Sequence, residues 1–334
     1  MRHNARREFV KNAFVGTATL GMGVYPLAGR AAALNSKVSL ASHPNSVLSS
    51  PYFLGLSEGI WTRHDWNITE LLVASAGGAA VRTIATGGIP IGDVSATAAF
   101  GAWLAGAPIR ILTLTITKPT ELLFVAKAGS KITRQDLVGK KIGYTTPGSG
   151  SHAASALILD RLGLTGKVEL VSTGGMREGL ALLQRGEIDV ASHLESLVKA
   201  SDKFDTVFRV PDLVPKYAYG AIVASEAFVQ KDREHVASFL SARTEAVERV
   251  QRDPEAAANA WLKGTRGLEL ESLLRGVKAI NAAQGWITTG WDIEAVQASL
   301  RSMELVGAIP SAKTVPLAEM IDQSFIEPER RIKL

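Results

Sequence analysis

The 334-residue chain contains no cysteine. That excludes disulfides, thiolate metal sites, a cysteine nucleophile and a lipid-modified cysteine at a mature N-terminus. Familiar catalytic signatures are missing too. The one Gly-x-Ser-x-Gly string, Gly55-Leu56-Ser57-Glu58-Gly59, falls inside an expected helix and not at the strand-to-helix elbow a nucleophile needs. There is no His-Glu-x-x-His, and the six histidines are scattered. The net charge of +5 offers little to nucleic acid. Arg2, Arg6, Arg7, Lys11 and Arg30 against Glu8 place four of those five charges in the first 33 residues. The rest is close to neutral, without the basic excess that phosphate neutralisation needs, so nucleic acid is not an expected partner.

What the N-terminus does hold is a twin arginine, Arg6-Arg7-Glu8-Phe9-Val10-Lys11, followed by a weakly apolar stretch from Asn12 to Ala28. Gly16, Gly21, Gly23 and Pro26 interrupt that stretch, whereas a membrane span wants about 20 strongly apolar residues. Ala31-Ala32-Ala33 supplies small residues where a signal peptidase reads. The sequence therefore predicts a twin-arginine export signal over 1–33, cut after Ala33, and a periplasmic product without a lipid anchor.

Beyond it, short β-branched runs alternate with helical patterns. Strands are expected at 38–41, 68–73, 89–94 and 109–117, with helices at 50–61, 79–86 and 98–104 between them. Ser50-Pro51 marks a helix start by its cap and its first-turn proline. A second unit of the same kind has strands at 141–145, 168–172, 188–191 and 207–210, with helices at 151–162 and 176–185. Thr133 with Asp136 caps a short turn before it. Strand character resumes at 217–224, and from Glu226 onward only helices follow, at 233–252, 254–262, 268–283 and 293–306. This order predicts an α/β chain with mainly parallel sheets. Residues 34–118 begin one lobe, 119–213 build a second, and 214–334 return to the first, through crossovers near 117–121 and 210–216.

Four segments carry a family resemblance. They are Tyr52-Phe53-Leu54-Gly55-Leu56-Ser57-Glu58-Gly59-Ile60-Trp61, Asp136-Leu137-Val138-Gly139-Lys140-Lys141-Ile142-Gly143, Arg185-Gly186-Glu187-Ile188-Asp189-Val190 and Asp253-Pro254-Glu255-Ala256-Ala257. In this order and spacing the chain resembles the type 2 periplasmic solute-binding proteins of ABC importers, in the SsuA/THI5-like (NMT1-like) family. The resemblance implies a two-lobed fold with a ligand cleft between lobes. It also implies a monomer that delivers a small solute to an inner-membrane ABC permease, with no cofactor and no enzymatic activity. One THI5-like branch makes a pyrimidine from its own histidine and pyridoxal phosphate, but it is cytoplasmic, whereas this chain carries a leader.

Candidate contacts cluster at strand ends. Thr146-Pro147-Gly148-Ser149-Gly150-Ser151-His152 leaves a strand and opens a helix, whose free N–H groups and partial positive charge suit an anion. Ser149 and Ser151 either donate to a ligand oxygen or cap their own helix. In the first lobe the candidates are Asn45 and Ser46, then Ser75, Gly77 and Gly78, then Asp93 and Ser95. Turn chemistry and capping are the alternative reading there. Asp93 either binds a cationic group or accepts local hydrogen bonds. Across the cleft stand His193 and Glu195, two apart and so on one face of a strand. Tyr219 lies near the return crossover, suited to stack on a ligand or to pack beside a hinge. A small anionic solute, such as a sulfonate, carboxylate or nitrate-like ion, fits these hydroxyl- and glycine-rich loops, although no arginine stands in them. The alternative is an exported NAD(P)-dependent oxidoreductase. Gly148-x-Gly150-x-x-Ala153, with Glu169 about 20 residues on, copies a dinucleotide fingerprint. Against it, Pro147 removes an N–H from the turn and Glu169 falls early in its strand.

Overall fold

The computed structural model describes residues 32–40, 46–74, 77–197 and 203–334. Its strands are β1 (Leu34–Leu40), β2 (Trp66–Val73), β3 (Ile91–Ser95), β4 (Ile109–Ile116), β5 (Leu122–Lys127), β6 (Lys141–Tyr144), β7 (Glu169–Ser172), β8 (Val190–Leu194), β9 (Phe204–Arg209) and β10 (Gly220–Ser225). They form two five-stranded sheets, ordered β2-β1-β3-β10-β4 and β7-β6-β8-β5-β9. The helices are α1 (Ser50–Ser57), α2 (Ile60–Arg63), α3 (Gly77–Ala85), α4 (Ala96–Leu104), α5 (Gly150–Arg161), α6 (Met176–Arg185), α7 (Val210–Leu213), α8 (Glu226–Lys231), α9 (Arg233–Arg252), α10 (Pro254–Lys263), α11 (Leu270–Ala282), α12 (Ile293–Leu305) and α13 (Leu317–Met320).

Each sheet has four strands running one way and one reversed. β10 pairs antiparallel with β3 and β4, and β5 pairs antiparallel with β8 and β9. These are the strands that arrive from the other lobe. Such a strand starts at the cleft and runs away from it, while the other four point their carboxyl ends toward it. β5 lies where the sequence pattern predicts no strand. The strand expected at 207–210 is the end of β9, which begins at Phe204 and stops at Arg209, because Val210 opens α7 with Pro211 in its first turn. After Ser225 the described residues form helices, turns and isolated bridges only.

The first sheet is covered on both faces. Ala80, Val81 and Ile84 of α3, Phe100 of α4 and Val296 and Leu300 of α12 are buried with Val94, Ile111 and Leu114. On the other side Tyr52, Trp61, Trp66 and Phe239 pack with Val38, Ile91 and Ile222. The apolar stripe of α9, Val236, Phe239, Leu240, Val247 and Val250, includes one charge, Arg243, which is wholly buried. Its Nε lies 3.5 Å from Asp93 Oδ2, and Nη1 donates to Ile287 O at 2.7 Å and Thr288 O at 3.0 Å. The second sheet has its own core, with Phe124 stacked on Phe208 and Leu157 and Ile158 of α5 beneath.

Two crossovers join the lobes side by side. Tyr217 N–H donates to Thr117 O at 2.8 Å and Tyr219 N–H to Ile116 O at 2.9 Å. Helix α12 braces this junction, with Leu300 and Met303 in the first-lobe core and Ala298 and Leu305 against the second.

Candidate functional site

The strand ends and the hinge converge on Tyr219. A Cβ placed on Gly150, the first residue of α5, would stand 4.0 Å from Tyr219 Cε2. The Tyr219 hydroxyl is hydrogen-bonded to Glu121, the residue that leads into β5. Glu121 in turn reaches the first lobe: Ser46 Oγ donates to its Oε1 at 2.5 Å and Val47 N–H to its Oε2 at 2.6 Å. One tyrosine thus touches the second-lobe helix start and, through a buried carboxylate, the segment ahead of α1. Burial pushes the Glu121 carboxyl up to about 7, against the pull of the bonds from Ser46, Val47 and Tyr219. Burial, with the Glu121 charge nearby, also holds the Tyr219 phenol well above its ordinary value.

The start of α5 is built by three hydroxyls. Ser149 Oγ caps the helix by accepting His152 N–H at 3.2 Å. Thr145 Oγ1 lies 2.9 Å from both Ser149 Oγ and Ser151 Oγ, and those two are 3.1 Å apart. Ser151 Oγ also accepts Thr145 N–H at 3.0 Å. The approach bends at Gly148, whose φ of +74° favours glycine. Gly148 N–H donates to His152 Nδ1 at 3.1 Å, which leaves the proton of a neutral ring on Nε2. The ring stacks on Tyr144 at 4.1 Å, and burial lowers its pKa, favouring that neutral form. Among the described residues nothing accepts the N–H groups of Gly150 or Ser151. Two free amides at the positive end of a 12-residue helix can hold an anion.

The first-lobe candidates are placed differently. Gly77 opens α3 so close to the start of α4 that a Cβ there would meet Ser95 Cβ at 2.9 Å. Ser95 Oγ lies 3.1 Å from Thr97 Oγ1. Gly78 faces more open space, with Arg82 Nη1 3.6 Å from its Cβ position. Thr146 is half-buried and its N–H points at Ser149 Oγ, 3.4 Å away. The predictions for Asn45 and Ser75 fall outside the described residues.

Asp93 is part of the core, not the cleft lining. Besides Arg243, it accepts Thr115 Oγ1 at 2.9 Å and the Tyr52 hydroxyl at 3.2 Å. Burial raises its carboxyl to about 6, with Arg243, Thr115 and Tyr52 pulling the other way. Neither strand spacing nor local backbone accounts for Glu195. β8 ends at Leu194 and Glu195 begins a 3-10 turn, so the alternation that would pair it with His193 stops short. Its buried carboxylate joins Arg209, at the end of β9, and Arg275 of α11. Burial works to raise the Glu195 carboxyl, but bonds and charges from the two guanidiniums outweigh it and hold it below the ordinary value. His193 is buried beside Phe204 within the second sheet.

Glu121, Arg209 and Arg275 were not singled out from sequence. The partners of Glu195 lie 14 and 80 residues away. Glu121 had one local sign, a charge placed directly before the apolar run Leu122–Ala126 that becomes a buried strand. The dinucleotide reading fails on geometry. Glu169 pairs with Lys141 at the far end of β6 and β7, three register positions from Tyr144 and Ser172, where the Gly148 turn begins. At about 3.3 Å per residue that is roughly 10 Å from the strand ends. Among the described residues, no group of three or more His, Asp or Glu side chains could hold a metal ion.

Residues 51–257 match the family described as NMT1/THI5 like. No curated protein matches the chain at the sequence level. Among solved structures, the periplasmic aliphatic sulphonate-binding protein SsuA of Escherichia coli is similar with a TM-score of 0.70 at 17% identity, over 86% of this chain and 92% of that one. SsuA from Xanthomonas axonopodis pv. citri, bound to MOPS, gives 0.67 at 16% identity, over 88% and 99%. The periplasmic nitrate-binding protein NrtA of Synechocystis PCC 6803 gives 0.66 at 11% identity, over 87% and 86%. The fold of these proteins, two α/β lobes around a cleft, is the fold of this chain.

Proposed function

The chain belongs to the NMT1/THI5-like family, and from that premise we propose that it is the periplasmic solute-binding component of an ABC importer. It captures a small organic or inorganic anion between its lobes and hands it to a permease in the inner membrane. The observation that carries this reading is the start of α5. Two amides with no partner among the described residues and a hydroxyl cap stand beside Tyr219 at the junction of the lobes. An anion there meets the positive end of a helix without needing an arginine. Likeness in fold to sulphonate- and nitrate-binding proteins supports the same ligand class.

The proposed contacts are Gly150, Ser151, Ser149 and His152 from the second lobe, Tyr219 from the hinge, and Gly77, Gly78 and Ser95 at the first-lobe strand ends. Ser46, fully buried and bonded to Glu121, is part of the frame instead. Closure follows from linkage: a ligand touching both lobes stabilises the arrangement in which both contacts exist. Export by the twin-arginine route, removal of 1–33, a monomeric state and the absence of catalysis belong to the same proposal. They rest on the leader composition and on the lack of a nucleophile or metal constellation in the sequence.

Thermal unfolding against alkanesulfonates, carboxylates, nitrate, pyrimidines and nicotinamide cofactors tests it. One small anion at 100 times its dissociation constant should stabilise the protein by about 2.7 kcal/mol. Stabilisation by a nicotinamide cofactor alone would reject the binding-protein reading.

A further inference from the structure

Ligand capture by two lobes needs the closed arrangement to be favoured enough to form and weak enough to reopen. The region around Glu195 has the parts for such a balance. Glu195 follows β8 in the second lobe and is 3% exposed. Its N–H donates at 2.8 Å to the carbonyl of Glu121, at the hinge. One carboxylate oxygen accepts from Arg209 of its own lobe, and the other accepts from Arg275 Nε at 2.6 Å. Arg275 stands on α11, which is fixed to the first lobe through Leu273, Val277 and Ile280 packed with Ile116 and Val47. A buried second-lobe carboxylate is therefore held by two guanidiniums, one from each lobe.

We propose that Glu195 and Arg275 form a reversible inter-lobe latch, and that Arg275 is a positioning residue that sets the closed population without touching the ligand. The inference rests on the reading of the protein as a closing solute-binder. Arg209 is what makes the latch reversible. A buried carboxylate stripped of its only cation is strongly destabilising, but opening removes one of the two here and leaves Glu195 paired within its own lobe. The Arg275 side chain is 39% exposed, so its guanidinium moves readily back into water. An open cavity of about 340 Å³ beside the pair, bounded by Thr120, Asp212 and Ala279, leaves room for that movement. A second pair between the lobes, Arg301 with Asp160 at 3.3 Å, lacks the buried partner. With 46% and 35% of its side chains exposed it contributes little.

The absence of cysteine allows a direct test. Lys263 on α10 and Gln184 on α6, both exposed, are replaced by cysteine and spin-labelled, and the inter-lobe distance distribution is measured by pulsed dipolar spectroscopy. In ligand-free protein Arg275→Ala should shift the distribution to longer, broader distances, with the closed fraction reduced about tenfold. Arg275→Lys should restore part of it and Arg301→Ala should change it little. Far-UV circular dichroism checks that each variant is folded. A distribution unchanged by Arg275→Ala in folded protein overturns the latch, whatever binds. If ethanesulfonate and nitrate fail to shorten the distance in any variant, that counts against solute capture, while the ligand-free distances still decide the latch.

Discussion

The two faces of the cleft use polar groups in opposite ways. On the first-lobe side the chemistry is turned inward: Asp93 is taken by Arg243, Thr115 and Tyr52, and Ser46 and the Val47 amide are taken by Glu121. On the second-lobe side the start of α5 keeps two amides without partners among the described residues, beside a hydroxyl cap. Similar residues at similar strand ends therefore serve different ends. A polar group whose partners are supplied by the fold holds the frame, and one whose partners are missing can accept a ligand. The hinge lies between these cases, with Glu121 fully partnered yet in contact, through Tyr219, with the open face.

If the first-lobe cluster is framework, breaking it should damage stability more than any change at the hinge or at the start of α5. Arg243→Ala leaves Asp93 buried without its cation, and about 3–5 kcal/mol of stability should be lost. Chemical denaturation measures this, and a loss under 1 kcal/mol would dissolve the contrast between the two faces.

The hinge should show an intermediate effect that depends on pH. The folded pKa of Glu121 is raised from 4.5 to about 7, so its contribution is fully present below 4.5 and is lost as pH rises through 7. At about 1.4 kcal/mol per unit this amounts to about 3 kcal/mol across that window. Glu121→Gln, which cannot ionise, should be free of this decline. The difference in unfolding free energy between the two proteins, followed from pH 4 to 8, reports it directly.

Smaller effects sharpen the second-lobe side. Gly148→Ala forces a Cβ into a left-handed turn and should cost about 1–2 kcal/mol. Ser149→Ala removes the cap of α5 and should cost about 1 kcal/mol. Both losses are readable by denaturation, and both should weaken anion binding by more than their modest cost in stability suggests.

The frame was legible in the sequence where the pattern is local. Met176–Arg185 and Arg233–Arg252 fall where helical periodicity puts them, and the Thr133–Asp136 capping box forms as its spacing implies. The loop from Thr145 to His152 was legible for the same reason, since strand, glycine turn and cap are adjacent in the chain. β5 was not, because Leu122–Lys127 follows a crossover and is uniformly buried apart from Lys127, leaving no alternation to read. Long-range pairs were also hidden. Asp93 could be read as a free carboxylate only because its partner Arg243 is so distant in sequence. Even so, one charge on the buried stripe of α9 marks Arg243 as needing a partner. Glu195 had no comparable sign, since Arg275 lies on a helix that no strand-end pattern connects to it.

The most direct test of the central claim is calorimetric titration of the stabilising anion into wild-type protein and into Ser149→Ala/Ser151→Ala. The account predicts that the double variant folds, with α5 somewhat destabilised, and binds at least about tenfold more weakly, a difference of about 1.4 kcal/mol. Equal affinity in the two proteins would place the ligand away from the start of α5 and contradict it.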